Sequence, residues 1–125
     1  MATVELTKQN FEGIVNEGGI VFVDFWASWC GPCRTFAPIF EAASEQHPEI
    51  AFGKVDTEAE FELASSFGIR SIPTLTIFRD QTVVFSQPGA VPAEALEKLI
   101  TQVAELDMDE MRRLAGQHKS ELSQS

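Results

Sequence analysis

Basic residues are scarce in this sequence: nine Lys and Arg stand against nineteen Asp and Glu, for a formal net charge of −10. Such a chain is repelled by nucleic acid and by anionic membrane surfaces, and neither is expected as a partner. The acidic residues are spread from Glu5 to Glu121, a distribution that suits solubility better than a steering patch. No apolar run reaches transmembrane length, and the opening Met1-Ala2-Thr3-Val4-Glu5-Leu6 lacks the basic and then apolar pattern of a secretory signal, so a cytoplasmic location is expected. Cysteine is nearly absent. Cys30 and Cys33 are the only two, and a pair so close together cannot form the framework of distant disulfides found in small secreted domains. Metal binding and redox chemistry remain.

What is present suffices for one domain: 44% of the 125 residues are hydrophobic, too few for two comfortable cores. Val4 to Leu6 reads as a short strand, with Thr7 capping a helix in which Phe11, Ile14 and Val15 share a face and Gly18-Gly19 ends the run. Ile20 to Trp26 is almost continuously apolar and suits a central strand covered on both faces, Asp24 being its one charge. A helix from about Pro32 to Gln46 carries Phe36, Ile39, Phe40 and Ala43 on one side and encloses Pro38. Ile50 to Val55 reads as a strand and Glu58 to Phe67 as a helix closed by Gly68. Two strands, Pro73 to Phe78 and Thr82 to Phe85, meet across Asp80-Gln81, and Pro92 to Glu105 forms an amphipathic helix. The order is that of an α/β fold, a mixed sheet with helices on both faces. Residues 1–105 form the expected domain. Residues 106–125 form an extension: a short helix over 107–114, capped by Asp107 and carrying Met108, Met111 and Ala115 on one face, then a polar end.

The segment Val23-Asp24-Phe25-Trp26-Ala27-Ser28-Trp29-Cys30-Gly31-Pro32-Cys33 resembles the signature of the thioredoxin family, and Gly68-Ile69-Arg70-Ser71-Ile72-Pro73-Thr74-Leu75 resembles that family's loop carrying a cis-proline. Both stand in the family's order and spacing. The resemblance implies the thioredoxin fold, with a central five-stranded mixed sheet and four flanking helices, and the activity of a protein-disulfide reductase. Gly31-Pro32 is similar to the dipeptide of the reducing members. The resemblance also implies a monomer with no bound cofactor: its redox group is the Cys30-Cys33 disulfide, recharged by an NADPH-dependent flavoprotein thioredoxin reductase, and its substrates are disulfide-containing client proteins.

Disulfide exchange needs an accessible thiolate and a second thiol close enough to release the mixed disulfide. With a helix beginning near Pro32, Cys30 lies just before its first turn and Cys33 inside it, so free backbone N–H groups favour negative charge on the Cys30 sulfur. Cys30 is therefore assigned as nucleophile and Cys33 as resolving thiol. The competing reading is half a zinc site completed by His47 and His118, but zinc fingers place their histidines about three to five residues apart. Asp24 lies in a run that should be buried, where an unpartnered carboxylate is costly and its pKa is expected to rise. Such an acid beside a dithiol can take the proton from Cys33, the role the resemblance assigns it.

The resemblance further implies that Lys54 approaches Asp24 and lowers the cost of its charge. It makes the Ile72-Pro73 bond cis and turns it toward the cysteines, leaving the Ile72 backbone to pair with an extended client strand. It joins Trp29, Gly31, Pro32, Ile72, Pro73, Gly89 and Ala90 in a flat apolar docking patch. Ser71 stands where the family commonly has glycine and Arg34 where it has lysine, and Pro88 and Pro92 bracket Gly89-Ala90 in an untypical way. Two other functions compete: a binding or chaperone scaffold that merely retains its cysteines, and a disulfide oxidase or isomerase.

Overall fold

Strands and helices alternate along the computed structural model, which describes residues 2–110 and 113. Their order is β1 (Val4–Glu5), α1 (Phe11–Asn16), β2 (Ile20–Trp26), α2 (Gly31–Gln46), β3 (Ala51–Asp56), α3 (Phe61–Ser66), β4 (Thr74–Arg79), β5 (Thr82–Pro88) and α4 (Ala93–Ala104). The five strands lie in the order β1-β3-β2-β4-β5. β3 runs parallel to both β1 and β2, whereas β4 is antiparallel to β2 and β5. This is the expected mixed sheet, with β2 at its centre.

Both faces of the sheet are covered, and strand alternation decides which residue goes where. Val21, Val23 and Phe25 of β2 pack with Phe11 and Val15 of α1 and Ala64 of α3. Phe22, pointing the other way, packs with Phe36 and Phe40 of α2 and Leu96, Ile100 and Val103 of α4. By the same alternation Asp24 joins the α2 and α4 side. The β4-β5 hairpin turns through Asp80 and Gln81, both left-handed at φ of 51° and 69°, the backbone that a two-residue hairpin loop needs.

Element boundaries differ from expectation in places. Thr7 does not cap α1 with its side chain. Its N–H donates to Asn10 Oδ1 at 2.7 Å and its carbonyl accepts from Phe11 N–H at 3.0 Å, forming a turn that delays the helix to Phe11. α3 starts at Phe61 instead of Glu58 because Asp56 Oδ1 captures the N–H groups of Glu58 and Ala59. β5 runs on to Pro88, and α2 begins at Gly31 and continues through Pro38. At the C-terminal side, Arg79 Nη1 donates to the carbonyls of Val103, Ala104 and Leu106, which binds the last turn of α4 to the sheet. Residues 108–110 are helical, and Met108 is 7% exposed. Met111 and Ala115 of the expected apolar face, and His118, lie outside the described residues.

Candidate active site

The chain leaves β2 at Trp26 and reaches α2 through a tight corner in which Cys30 N–H donates to Ala27 O at 3.2 Å. Cys30 is the N-cap of α2, with extended backbone at φ −86° and ψ 116°. Its sulfur accepts the Cys33 N–H at 3.2 Å, satisfying one of the donors that a helix start leaves free. Pro32 sits within the first turn, where its missing N–H costs nothing. Cys30 and Cys33 are joined as a disulfide with Cα atoms 5.2 Å apart. Both residues are nearly buried, in a cluster with Ala27 against which Trp26 and Ile72 pack.

The Ile72-Pro73 bond is cis, and the Ile72 carbonyl oxygen lies 3.6 Å from Cys30 Sγ. Gly89, left-handed at φ 101°, donates its N–H to Pro73 O at 2.7 Å and so draws the end of β5 to the same place. Thr74 Oγ1 donates to Ser71 O at 2.6 Å, bracing the turn before the proline. Of the expected docking patch, Ile72 thus stands against the Cys30 sulfur, with Pro73 next to it in the chain and Gly89 tied to Pro73. Trp29, Gly31, Pro32, Gly89 and Ala90 are exposed, Ile72 is half-buried and Pro73 is buried. Proline at 73 therefore positions the loop, while the open surface is made by its neighbours. Trp29 is 65% exposed, and its indole N–H donates to Glu58 Oε1.

Asp24 is fully buried, and neither carboxyl oxygen has a hydrogen-bond partner among the described residues. Its strand neighbours in register are Lys54 on β3 and Leu75 on β4. Burial without partners raises its pKa to about 7, and the charge of Lys54 opposes that rise. The Lys54 ammonium lies 5.0 Å from the centroid of the Trp26 ring, a cation–π distance. Lys54 and Cys33 both line a small cavity of about 90 Å³ with Trp26, Ala27, Ser28, Arg34 and Ala37. Asp24, Lys54 and Cys33 thus share one side of the sheet, at the N-terminal end of α2.

His47 stands at the other end of α2, beyond its 16 residues, and a helix of that length spans roughly 24 Å. Its ring nitrogens meet Glu49 Oε1 at 3.3 Å and Glu97 Oε2 at 3.0 Å, so it cannot complete a ligand set with the cysteines. No group of three or more metal-ligating side chains occurs among the described residues. Arg34, which stands where the family commonly has lysine, donates from Nη1 to Ser28 O at 3.1 Å, and two residues beside Trp29 carry no motif: Glu58 and Phe61. Phe61 is the one with a sequence signal, an aromatic set between Glu60 and Glu62.

The thioredoxin family model matches residues 2–102. A Streptomyces coelicolor protein bearing the thioredoxin name is 53% identical over 120 residues, covering 96% of this chain and 90% of that protein. Bacillus subtilis thioredoxin is 40% identical over 103 residues, 82% of this chain and 98% of the relative. Among solved structures, a thioredoxin variant from Halobacterium salinarum superposes with a TM-score of 0.78 at 32% identity, over 84% of this chain and 93% of that one. With the motif, the fold and the disulfide all in agreement with these relatives, the chain belongs to the thioredoxin family and is a dithiol–disulfide oxidoreductase of the reductase type, working through Cys30 and Cys33.

Proposed function

We propose that Cys30 is the attacking sulfur and Cys33 the resolving one. The observation that carries this division is the N-cap position of Cys30, whose sulfur faces the free N–H groups of α2 and lies beside the Ile72 carbonyl, whereas Cys33 sits within the first turn. In the reduced protein the Cys30 thiolate attacks one sulfur of a client disulfide, forming a mixed disulfide and expelling the other client sulfur, which takes up a proton from water. Cys33 then loses its proton, attacks Cys30 Sγ, forms the intramolecular disulfide and releases the second client sulfur. Two electrons pass to the client.

Asp24 is the proposed acceptor of the Cys33 proton. A carboxyl with a pKa of about 7 is poised to exchange protons at neutral pH. The cavity shared by Lys54 and Cys33 has room for a water beside the resolving thiol. Lys54 is the positioning charge beside that acid. Ile72, with Pro73 and Gly89 bracing its turn, offers backbone to an extended client segment, flanked by Trp29, Gly31, Pro32 and Ala90.

The electron source proposed for the return to the dithiol is an NADPH-dependent flavoprotein thioredoxin reductase, and the setting a monomer in the cytoplasm. No helix among the described residues is long and apolar enough to cross a membrane. Residues 1–105 are assigned as the redox domain and 106–125 as an extension, a division supported by the end of the family match at residue 102.

The test is reduction of insulin by the dithiol-reduced protein together with trapping by Cys33→Ser. The variant should accumulate mixed disulfides through Cys30 and lose turnover. Turnover persisting in Cys33→Ser, or lost equally with no trapped species, would reverse or remove the division of roles. A scaffold or chaperone role would survive replacement of both cysteines.

A further inference from the structure

Phe61 opens α3 with its side chain turned to water: it is 71% exposed, and with Trp29 at 65% it stands well above the other exposed large apolar residues. An aromatic so placed adds little to the core and marks an interaction surface when it adjoins other apolar surface. Phe61 and Trp29 form two walls of a cavity of about 230 Å³ whose remaining lining comes from Thr57, Ala64, Ser65, Ile69, Arg70 and Ile72. Ile72 in that lining is the residue whose carbonyl oxygen lies 3.6 Å from Cys30 Sγ. A mostly apolar cleft therefore adjoins the residue that stands against the reacting sulfur.

Charge narrows what can fill it. Of the acidic residues around Phe61, Glu62 is ion-paired with the Lys8 ammonium at 3.0 Å, whereas Glu58 and Glu60 accept from neutral donors, the Trp29 indole and the Lys8 backbone N–H, and keep their charge. Arg70 is the single charged side chain lining the cleft. It is exposed and has no ion-pair partner among the described residues. It is the one cation on the cleft wall, free to meet an acidic group of whatever enters.

We propose that Phe61 and Arg70 are specificity-determining residues: the cleft takes a bulky apolar side chain of an extended client segment next to its disulfide cysteine, and Arg70 selects an acidic side chain beside it. The inference rests on the reductase reading above and adds a client preference that the chemistry itself does not require. The cleft holds the segment by apolar burial against Trp29 and Phe61 while Ile72 pairs with its backbone.

The experiment uses two synthetic peptide disulfides, one with each cysteine flanked by Leu and Asp, the other by Ser and Lys, and reads the ratio of their kcat/KM values. Reduction of bis(2-hydroxyethyl) disulfide by the wild-type protein independently tests the reductase reading. The wild type should prefer the Leu/Asp peptide, and Phe61→Ala should lower the preference about fivefold through KM, the factor expected for losing part of a buried aromatic contact. Arg70→Gln should lower it about two- to threefold at low salt and have little effect at high salt, as a solvent-facing charge contact does. A ratio near unity in the wild type, or one unmoved by Phe61→Ala, would overturn the proposal even where the small disulfide is reduced. A general loss of activity affects both peptides alike and does not enter the ratio.

Discussion

Asp24 puts a carboxyl with two unpartnered oxygens into the middle of a sheet, and the consequence is a pH-dependent stability. Its ordinary pKa of 3.8 is raised to about 7 in the folded protein. The proton is thus held more tightly folded than unfolded. Well below pH 3.8 both states are protonated and the stability is at its fullest; as pH rises through 3.8 toward 7 the unfolded chain ionises first, and stability falls, levelling once the folded acid has also ionised. The shift of roughly three units corresponds to a loss on the order of 4 kcal/mol across that window. Urea denaturation from pH 4 to 8 should show this fall in the wild type and a flatter profile in Asp24→Asn. The same substitution should remove the neutral-pH inflection from the rate of client release. At Gly53 the constraint is space: a Cβ there would come within 2.6 Å of Cγ of the fully buried Leu6. Gly53→Ala should therefore destabilise by about 1–3 kcal/mol, as overpacking does, read as a lower urea midpoint with unchanged slope. Asp24 stood out in the sequence as the lone charge of an apolar run, but its lack of a hydrogen-bond partner among the described residues depends on what β3, β4 and the helices bring over it.

Helix α2 places the reacting sulfurs at its N-terminus and a pH-sensitive tie to α4 at its other end. Burial alone would lower the pKa of His47, but the hydrogen bonds and charges of Glu97 and Glu49 outweigh it and hold the imidazole above its usual 6.5. The tie is fully present below about pH 6.5 and is lost as pH rises through the raised value. Its exposure keeps it to about 0.5–1 kcal/mol, so His47→Gln should lower stability at pH 5.5 and have little effect at pH 8.5, measured by the same denaturation. The start of α2 was legible because Cys30-Gly31-Pro32-Cys33 combines a capping atom, a first-turn proline and a helical return within four residues. The start of α3 was not, because Asp56, outside the periodic run, takes the N–H groups of Glu58 and Ala59 into a turn that periodicity does not register. That displacement makes Phe61 the first helical residue, on the rim of the cleft beside Trp29.

Across the whole molecule the described part of the C-terminal extension is packed against the domain. Met108 is buried, Leu106 packs on the α2-α4 core, and Arg79 donates to the Leu106 carbonyl. Truncation after residue 105 should lower stability by about 1.5–3 kcal/mol, the value of burying one such side chain. An unchanged urea midpoint would show those contacts to be without weight. The sequence by itself determined the chemistry and the layering. A dithiol within one helical turn is a local feature, and alternation within strands sorts their residues onto two faces. Only the tertiary structure decided what stands against the sulfur. Ile72 is 42 residues from Cys30, and Gly89 reaches Pro73 only because β5 returns beside β4. The same strand order sets Lys54 beside Asp24. Such contacts depend on strand order and register, which local periodicity does not encode, because a strand with the same pattern can pair with any neighbour that buries its apolar faces.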